Sequence, residues 1–321
     1  MVLENSNSRC CVESNQAVNG PYCVAIDLGS NSFHLLKLAL VAGNWQVEKA
    51  LARKVQLGLG MEKGGLGQEA IERGLACLRE FASHTRGINS NWLRVVATQA
   101  IRQADNRDSF LSLAEDILQQ PIDVIDGEEE AALVYQGVRA QQLYQGSSLI
   151  VDVGGGSTEL ALGEKATPVH CVSLPVGCVS LLPYFSQDKV NAANLQAARD
   201  AAKKFFDGAA AGMPSGWQHC IGSSGTLLAV EQVLIQQGWS QGGIDRQGLQ
   251  MLEQALLKFD TIAAVNFQGL SESRRSVFAT GLAITLGLFD SLPIEHMSLS
   301  SAALREGVAH QLLSRNFAVG Q

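Results

Sequence analysis

No two of the seven cysteines (Cys10, Cys11, Cys23, Cys77, Cys171, Cys178 and Cys220) are spaced C-x-x-C, and their number is odd. That argues against a metal site built from them and fits reduced, mostly buried thiols in a cytoplasmic protein. Positive charge is also short: Lys and Arg total 24 against 31 Asp and Glu, leaving a net charge of -7. No basic field therefore attracts nucleic acid, and any polyanion must be held by local groups and metal. Residues 1–20 lack a basic start and an apolar h-region, so they read as a disordered tail rather than a signal peptide. Unbroken apolar runs are missing as well. The uncharged stretches 166–187 and 208–230 are interrupted by Pro168, Pro175 and Pro183, and by Pro214, Gly216 and Gly222, which leaves no spanning helix and no membrane partner.

What is present centres on residues 149–162, LIVDVGGGSTELAL. An apolar strand leads to Asp152, then the turn Gly154-Gly155-Gly156, then Ser157, Thr158 and Glu159. Three glycines let backbone N–H groups turn toward one point and let a ligand approach the chain closely. Residues 24–37, VAIDLGSNSFHLLK, repeat the pattern at an offset of 125: Asp27 matches Asp152, Gly29 matches Gly154, Ser32 matches Ser157 and Leu35 matches Leu160. An apolar strand returns after this turn, whereas the dinucleotide fingerprint and the P-loop both need a helix there. Neither of those sites is supported.

The length suggests two domains, and 46% hydrophobic residues allow each a core of its own. A third strand is expected over 45–57, helices over 68–86, 101–118 and 127–144, and short strands over 93–98 and 122–125. The second half restarts at 149 with a hairpin, a strand over 169–174, helical segments around 188–207, and a strand over 217–221 that runs into Gly222-Ser223-Ser224-Gly225-Thr226. Helices over 246–259, 274–289 and 302–314, with a strand over 297–299, complete it. The order βββαβαβα thus occurs twice, which places a ligand in the gap between two α/β halves.

A strand, a carboxylate, an N–H-rich turn and two hydroxyls make a holder for a phosphate and its divalent cation. Asp152 and Glu159 can both face the mouth of the second turn, and Mg²⁺ typically takes one or two such carboxylates plus substrate oxygens and water. Asp27 is a weaker metal candidate. Gly29, Ser30, Asn31 and Ser32, with Gly154, Gly155, Gly156, Ser157 and Thr158, would present N–H groups and hydroxyls to successive phosphates. Thr98 and Arg102 bracket a strand-to-helix turn, where Arg102 offers a planar fork for charge that grows in the transition state. Gly222 and Ser224 lie in the strand-to-helix segment, a ready anion site. His34, alone among apolar neighbours, reads as a core residue.

The segments AIDLGSNSFHLL, VATQAIRQADN, IDVIDGEEEAALVYQGV, VDVGGGSTELALG, LPVGCVSL, IGSSGTLLAVEQVL, GLSESRRSVFATGLAI and LSSAALREGV follow one another from about residue 24 to 308. In that order they resemble the exopolyphosphatase / guanosine pentaphosphate phosphatase (Ppx/GppA) family, in its short two-domain form within the actin-like, sugar kinase and Hsp70 ATPase superfamily. The resemblance implies duplicated ribonuclease-H-like domains, each a five-stranded mixed sheet flanked by helices, with a cleft between them. Domain I would be 21–134 plus about 303–321, and domain II 135–302. It also implies Mg²⁺ or another divalent cation, and release of terminal phosphate from polyphosphate or from guanosine penta/tetraphosphate. The last carboxylate of the acidic cluster is taken to activate water; this maps to Glu130, with Glu129 as the alternative. Departures are Ala131-Ala132 where the family usually has an arginine, Ser301 where an aspartate is common, and Gln56 where many members carry a base. The missing arginine leaves open a catalytically weak (p)ppGpp-binding sensor, and a homodimer also stays open.

Overall fold

The computed structural model describes residues 21–141 and 145–318. The proposed tail at 1–20 and the end of the helix expected to reach 144 lie outside these residues. The first half runs β1 (Tyr22–Leu28), β2 (Ser32–Val41), β3 (Asn44–Lys54), a small hairpin of β4 (Met61–Glu62) and β5 (Gly65–Leu66), α1 (Gln68–Thr85), β6 (Leu93–Ala97), α2 (Gln99–Gln103), α3 (Arg107–Leu118), β7 (Ile122–Val124) and α4 (Gly127–Gln141). The second half runs β8 (Ser148–Val153), β9 (Thr158–Gly163), β10 (His170–Leu174), α5 (Ala192–Gly212), β11 (His219–Ser223), α6 (Gly225–Gln236), β12 (Ile244–Asp245), α7 (Arg246–Leu256), α8 (Glu272–Ser291), β13 (His296–Ser300) and α9 (Leu304–Ala318).

The expected duplication is present in the strand order. One sheet reads β3-β2-β1-β6-β7 and the other β10-β9-β8-β11-β13-β12. In each, an antiparallel meander of three strands is extended by two parallel strands. β1 is central and buried on both faces from Cys23 to Leu28, which is why it reads as a continuous apolar run. The edge strand β3 is mostly exposed and carries Glu48, Lys49, Arg53 and Lys54, charges that discourage edge-to-edge pairing.

Two expectations are corrected. The second sheet has six strands rather than five, because Ile244 and Asp245 pair antiparallel with Met297 and His296. A two-residue strand offers no alternation for a sequence pattern to register. The single helix expected over 101–118 is two, α2 and α3. Asn106, at their junction, donates through Nδ2 to Leu66 O at 2.9 Å and accepts from Leu66 N at 2.8 Å, while Asp105 N donates to Gly64 O at 2.9 Å. The β4–β5 hairpin therefore captures backbone and side chain at the bend, a tertiary contact that overrides a continuous apolar stripe.

Each sheet packs its own core, but a third apolar cluster joins them. It draws Ala25 and Val96 from the first sheet, Ile150, Ala161 and Ile221 from the second, and Leu133, Tyr135, Leu304 and Val308 from α4 and α9. These two helices cross closely. A Cβ on Gly137 would lie 2.5 Å from Ala303 O and 2.6 Å from Gly307 N, and one on Gly307 would collide with Leu133 O.

Candidate active site

The two glycine turns face each other across the cleft between the sheets. Between β1 and β2, a Cβ on Gly29 would approach Ser32 O to 2.9 Å. Between β8 and β9, Gly154 N donates to Ser157 O at 2.9 Å. The loops meet directly, since a Cβ on Gly155 would lie 3.1 Å from Asn31 N and 3.2 Å from Ser30 Cβ. Ser30 Oγ accepts from Ala100 N at 3.2 Å. The glycine triplet is braced from behind: Cys178 N donates to Gly154 O at 3.0 Å and Val179 N to Gly155 O at 2.7 Å. Gly177 fits there only because it has no side chain, as its Cβ would stand 2.5 Å from the Gly155 carbonyl.

Pairing register explains why the carboxylates converge. Asp152 stands opposite Glu159 in the β8–β9 hairpin, and Asp27 stands opposite His34 in β1–β2. The duplication thus sets His34 in the place of Glu159. His34 Nδ1 lies 3.2 Å from Asp27 Oδ2, and both side chains line the cleft. His34 is therefore no core residue, and its equivalence to Glu159 at the offset of 125 was the signal that could have found it.

The acids at the start of α4 separate by direction. Glu128 is exposed. Glu129 accepts from Arg94 Nη2 at 2.8 Å and points away from the cleft. Glu130 is buried and lines the cleft with Asp27, Asp152 and Glu159. Burial, then the charge of Glu159 and Asp27, pushes the Glu130 carboxyl well above the usual carboxylate range. Burial likewise raises Asp152, with Glu159 and Asp27 adding to it. Glu159 is pushed up to about 7 by burial, against the hydroxyls of Ser157 and Ser173, which draw it down.

Gly29, Ser30, Asn31, Ser32, Thr98, Gly154, Gly155, Ser157 and Ser224 all line this cleft of about 250 Å³. Four expected residues stand elsewhere. Gly156 is packed against the Gln99 side chain. Thr158 is fully buried and donates to Val176 O at 2.6 Å. Gly222 lies within β11, where a Cβ would crowd Met297, Leu299 and Leu227, so it serves packing. Arg102 sits behind Glu130, with Nη1 donating to Ile125 O at 2.6 Å and lying 3.5 Å from Glu130 Oε2. Arg274, from the start of α8, and Arg305, from the start of α9, also line the cleft and were missed, since no repeat marks them; Ser301, noted only as a departure from the family pattern, lines it from the β13–α9 turn.

The donor set suits a hard divalent cation. Asp27 Oδ1 and Asn31 Oδ1 are buried with no partner, and four carboxylates share one opening. Among the described residues no three His, Cys, Asp or Glu side chains form a ready cage. A cation that keeps waters and takes phosphate oxygens needs none.

A family model described as the Ppx/GppA phosphatase family matches residues 41–316. The chain belongs to that family. It is 42% identical over 292 residues to a guanosine-5'-triphosphate,3'-diphosphate pyrophosphatase of Pseudoalteromonas atlantica, covering 90% of this chain and 58% of the relative. A protein of the same name from Vibrio vulnificus is 39% identical over 303 residues, covering 94% of this chain and 61% of that one. This member of the Ppx/GppA family thus spans about three fifths of the length of the curated relatives it matches. Among solved structures, an exopolyphosphatase from Cytophaga hutchinsonii superposes with a TM-score of 0.80 at 22% identity, covering 92% of this chain and 98% of that one. The Aquifex aeolicus family member does so with a TM-score of 0.76 at 23% identity, covering 92% and 98%. The fold is the two-domain actin-like fold of the family.

Proposed function

We propose that this chain is a divalent-cation-dependent phosphoanhydride hydrolase that releases terminal phosphate from pppGpp, inorganic polyphosphate or both. The observation that carries the reading is the convergence of Glu130, Asp152, Glu159 and Asp27 on a cleft roofed by two glycine turns. A cleft of about 250 Å³ is smaller than the roughly 300–1,000 Å³ of pockets for drug-sized ligands. It suits a short run of phosphates and leaves the rest of the substrate outside.

Asp152 and Glu159 would hold the cation, which supplies charge neutralisation to the phosphoryl oxygens. The turn N–H groups and the Ser30, Ser32 and Ser157 hydroxyls orient the phosphates. Glu130 orients water and accepts its proton as the water oxygen bonds to the terminal phosphorus. The bridging P–O bond breaks, and the shortened chain leaves with the electron pair. A carboxyl raised by burial is the stronger proton acceptor of its kind. Division of the chain into 21–134 plus about 303–321 and 135–302 is supported by α9, which packs on β1, β2 and β6 of the first sheet. The reading also proposes a cytoplasmic setting, supported by buried thiols at Cys23, Cys77, Cys178 and Cys220; among the described residues no helix is long and apolar enough to cross a membrane.

The test is phosphate release with Mg²⁺ from pppGpp and from polyphosphate by the wild type and Glu130→Gln. The variant is expected to bind substrate with wild-type affinity while kcat falls roughly 10²–10⁴-fold, the span of general-base contributions. Hydrolysis by Glu130→Gln at the wild-type rate would remove the assignment of the base. Calorimetric binding by the wild type with no phosphate released would favour the sensor.

A further inference from the structure

In-line displacement puts the attacking water on the far side of the terminal phosphorus from the leaving chain. With Glu130 orienting that water, the freed phosphate comes to rest against Glu130, and the shortened product stands between it and the way in. Behind Glu130 there is a second, open hollow of about 550 Å³, lined among others by Arg102, Gln103, Asp126, Glu128 and Ser173. Its wall toward the cleft is thin. Arg102 lines the hollow and reaches Glu130 Oε2 at 3.5 Å, while Ser173 lines it and donates to Glu159 Oε1 at 2.7 Å. Gly127 keeps that wall thin, because a Cβ there would collide with Ser173 Cβ.

We propose that this second hollow is the exit for inorganic phosphate, and that Arg102 is the gate between it and the cleft. The inference rests on the hydrolase reading and adds a direction to it. The contact from Arg102 to Glu130 sits at the outer limit of a hydrogen bond, whereas its bond to Ile125 O is short at 2.6 Å. The guanidinium can thus let go of Glu130 while it stays anchored. A phosphate that forms at Glu130 meets this cation first. The carboxylates of Asp126 and Glu128 line the same hollow, which therefore offers an anion no place to stay and serves as a passage rather than a store. Product that stays in the cleft can then be trimmed again without first being let go.

The experiment compares bond cleavage, by rapid quench, with free phosphate, read by a fluorescent phosphate sensor, on pppGpp with Mg²⁺. Gln103 is exposed on one wall of the hollow and Glu128 on the other, so Gln103→Trp and Glu128→Trp narrow it without touching the groups assigned to chemistry. Each is expected to cleave its first equivalent at the wild-type rate and to release phosphate roughly fivefold or more behind cleavage, making release rate-limiting. Gln103→Ala is expected to show no lag. Release in step with cleavage in both tryptophan variants would overturn the exit while leaving the hydrolase reading intact. A wild type that cleaves nothing would overturn the hydrolase reading and the exit with it.

Discussion

Burial in the cleft raises the affinity of Glu130, Asp152 and Glu159 for protons, and Glu159 shows the consequence most clearly. Its pKa of about 7 in the fold stands above the ordinary 4.5. Between those values the folded chain holds a proton that the unfolded chain releases, so stability falls as pH rises through that window and the loss is complete above it. In EDTA, Glu159→Gln is therefore expected to melt a few degrees above wild type at pH 8 and no higher than wild type near pH 4.5. Added Mg²⁺ should close the gap at pH 8. Differential scanning calorimetry across pH checks both. The residues in this cluster were legible to unequal degrees. Asp152 and Glu159 are marked by their turn and Asp27 by its repeat. His34 was hidden because its neighbours in sequence are apolar, and its partner, Asp27, is visible only once the strands pair. Arg274 and Arg305 come to the cleft from α8 and α9, and only the tertiary fold brings them there.

At the scale of elements, the aim of Glu130 depends on how the first turn of α4 is set. Arg94 on β6 holds it: Nε donates to Asp123 Oδ2 at 2.9 Å, Nη2 to Glu129 Oε1 at 2.8 Å and Nη1 to Gln311 Oε1 at 2.6 Å. One guanidinium thereby ties β7, α4 and α9 together. It also engages Glu129, so that of the three acids in this turn it is Glu130 that lines the cleft. Arg94→Ala is expected to lower kcat roughly ten- to a hundredfold through misaiming and to change KM little; steady-state kinetics on pppGpp measures both. Strands and helices bounded by strong apolar periodicity stood where the pattern puts them. The break at Asn106 did not show, because the hairpin that holds it is about 40 residues away in sequence.

Across the whole molecule, the apolar cluster shared by both sheets makes the halves interdependent. Leu133 is buried in that cluster on α4, and Leu133→Ala is expected to cost about 2–5 kcal/mol. The loss should appear as one cooperative transition at a lower midpoint, with hydrogen exchange rising in β1 and in β8 alike; two separate transitions would contradict the coupling. The crossing of α4 and α9 has a mechanical consequence too. With only glycine between the two backbones, there is no cushion of side chain to absorb a twist. Rotation of either half about that joint passes to the other without slack, and Glu130, about 10 Å along the same rod from Gly137, swings with it. The lever and its pivot are one piece of chain.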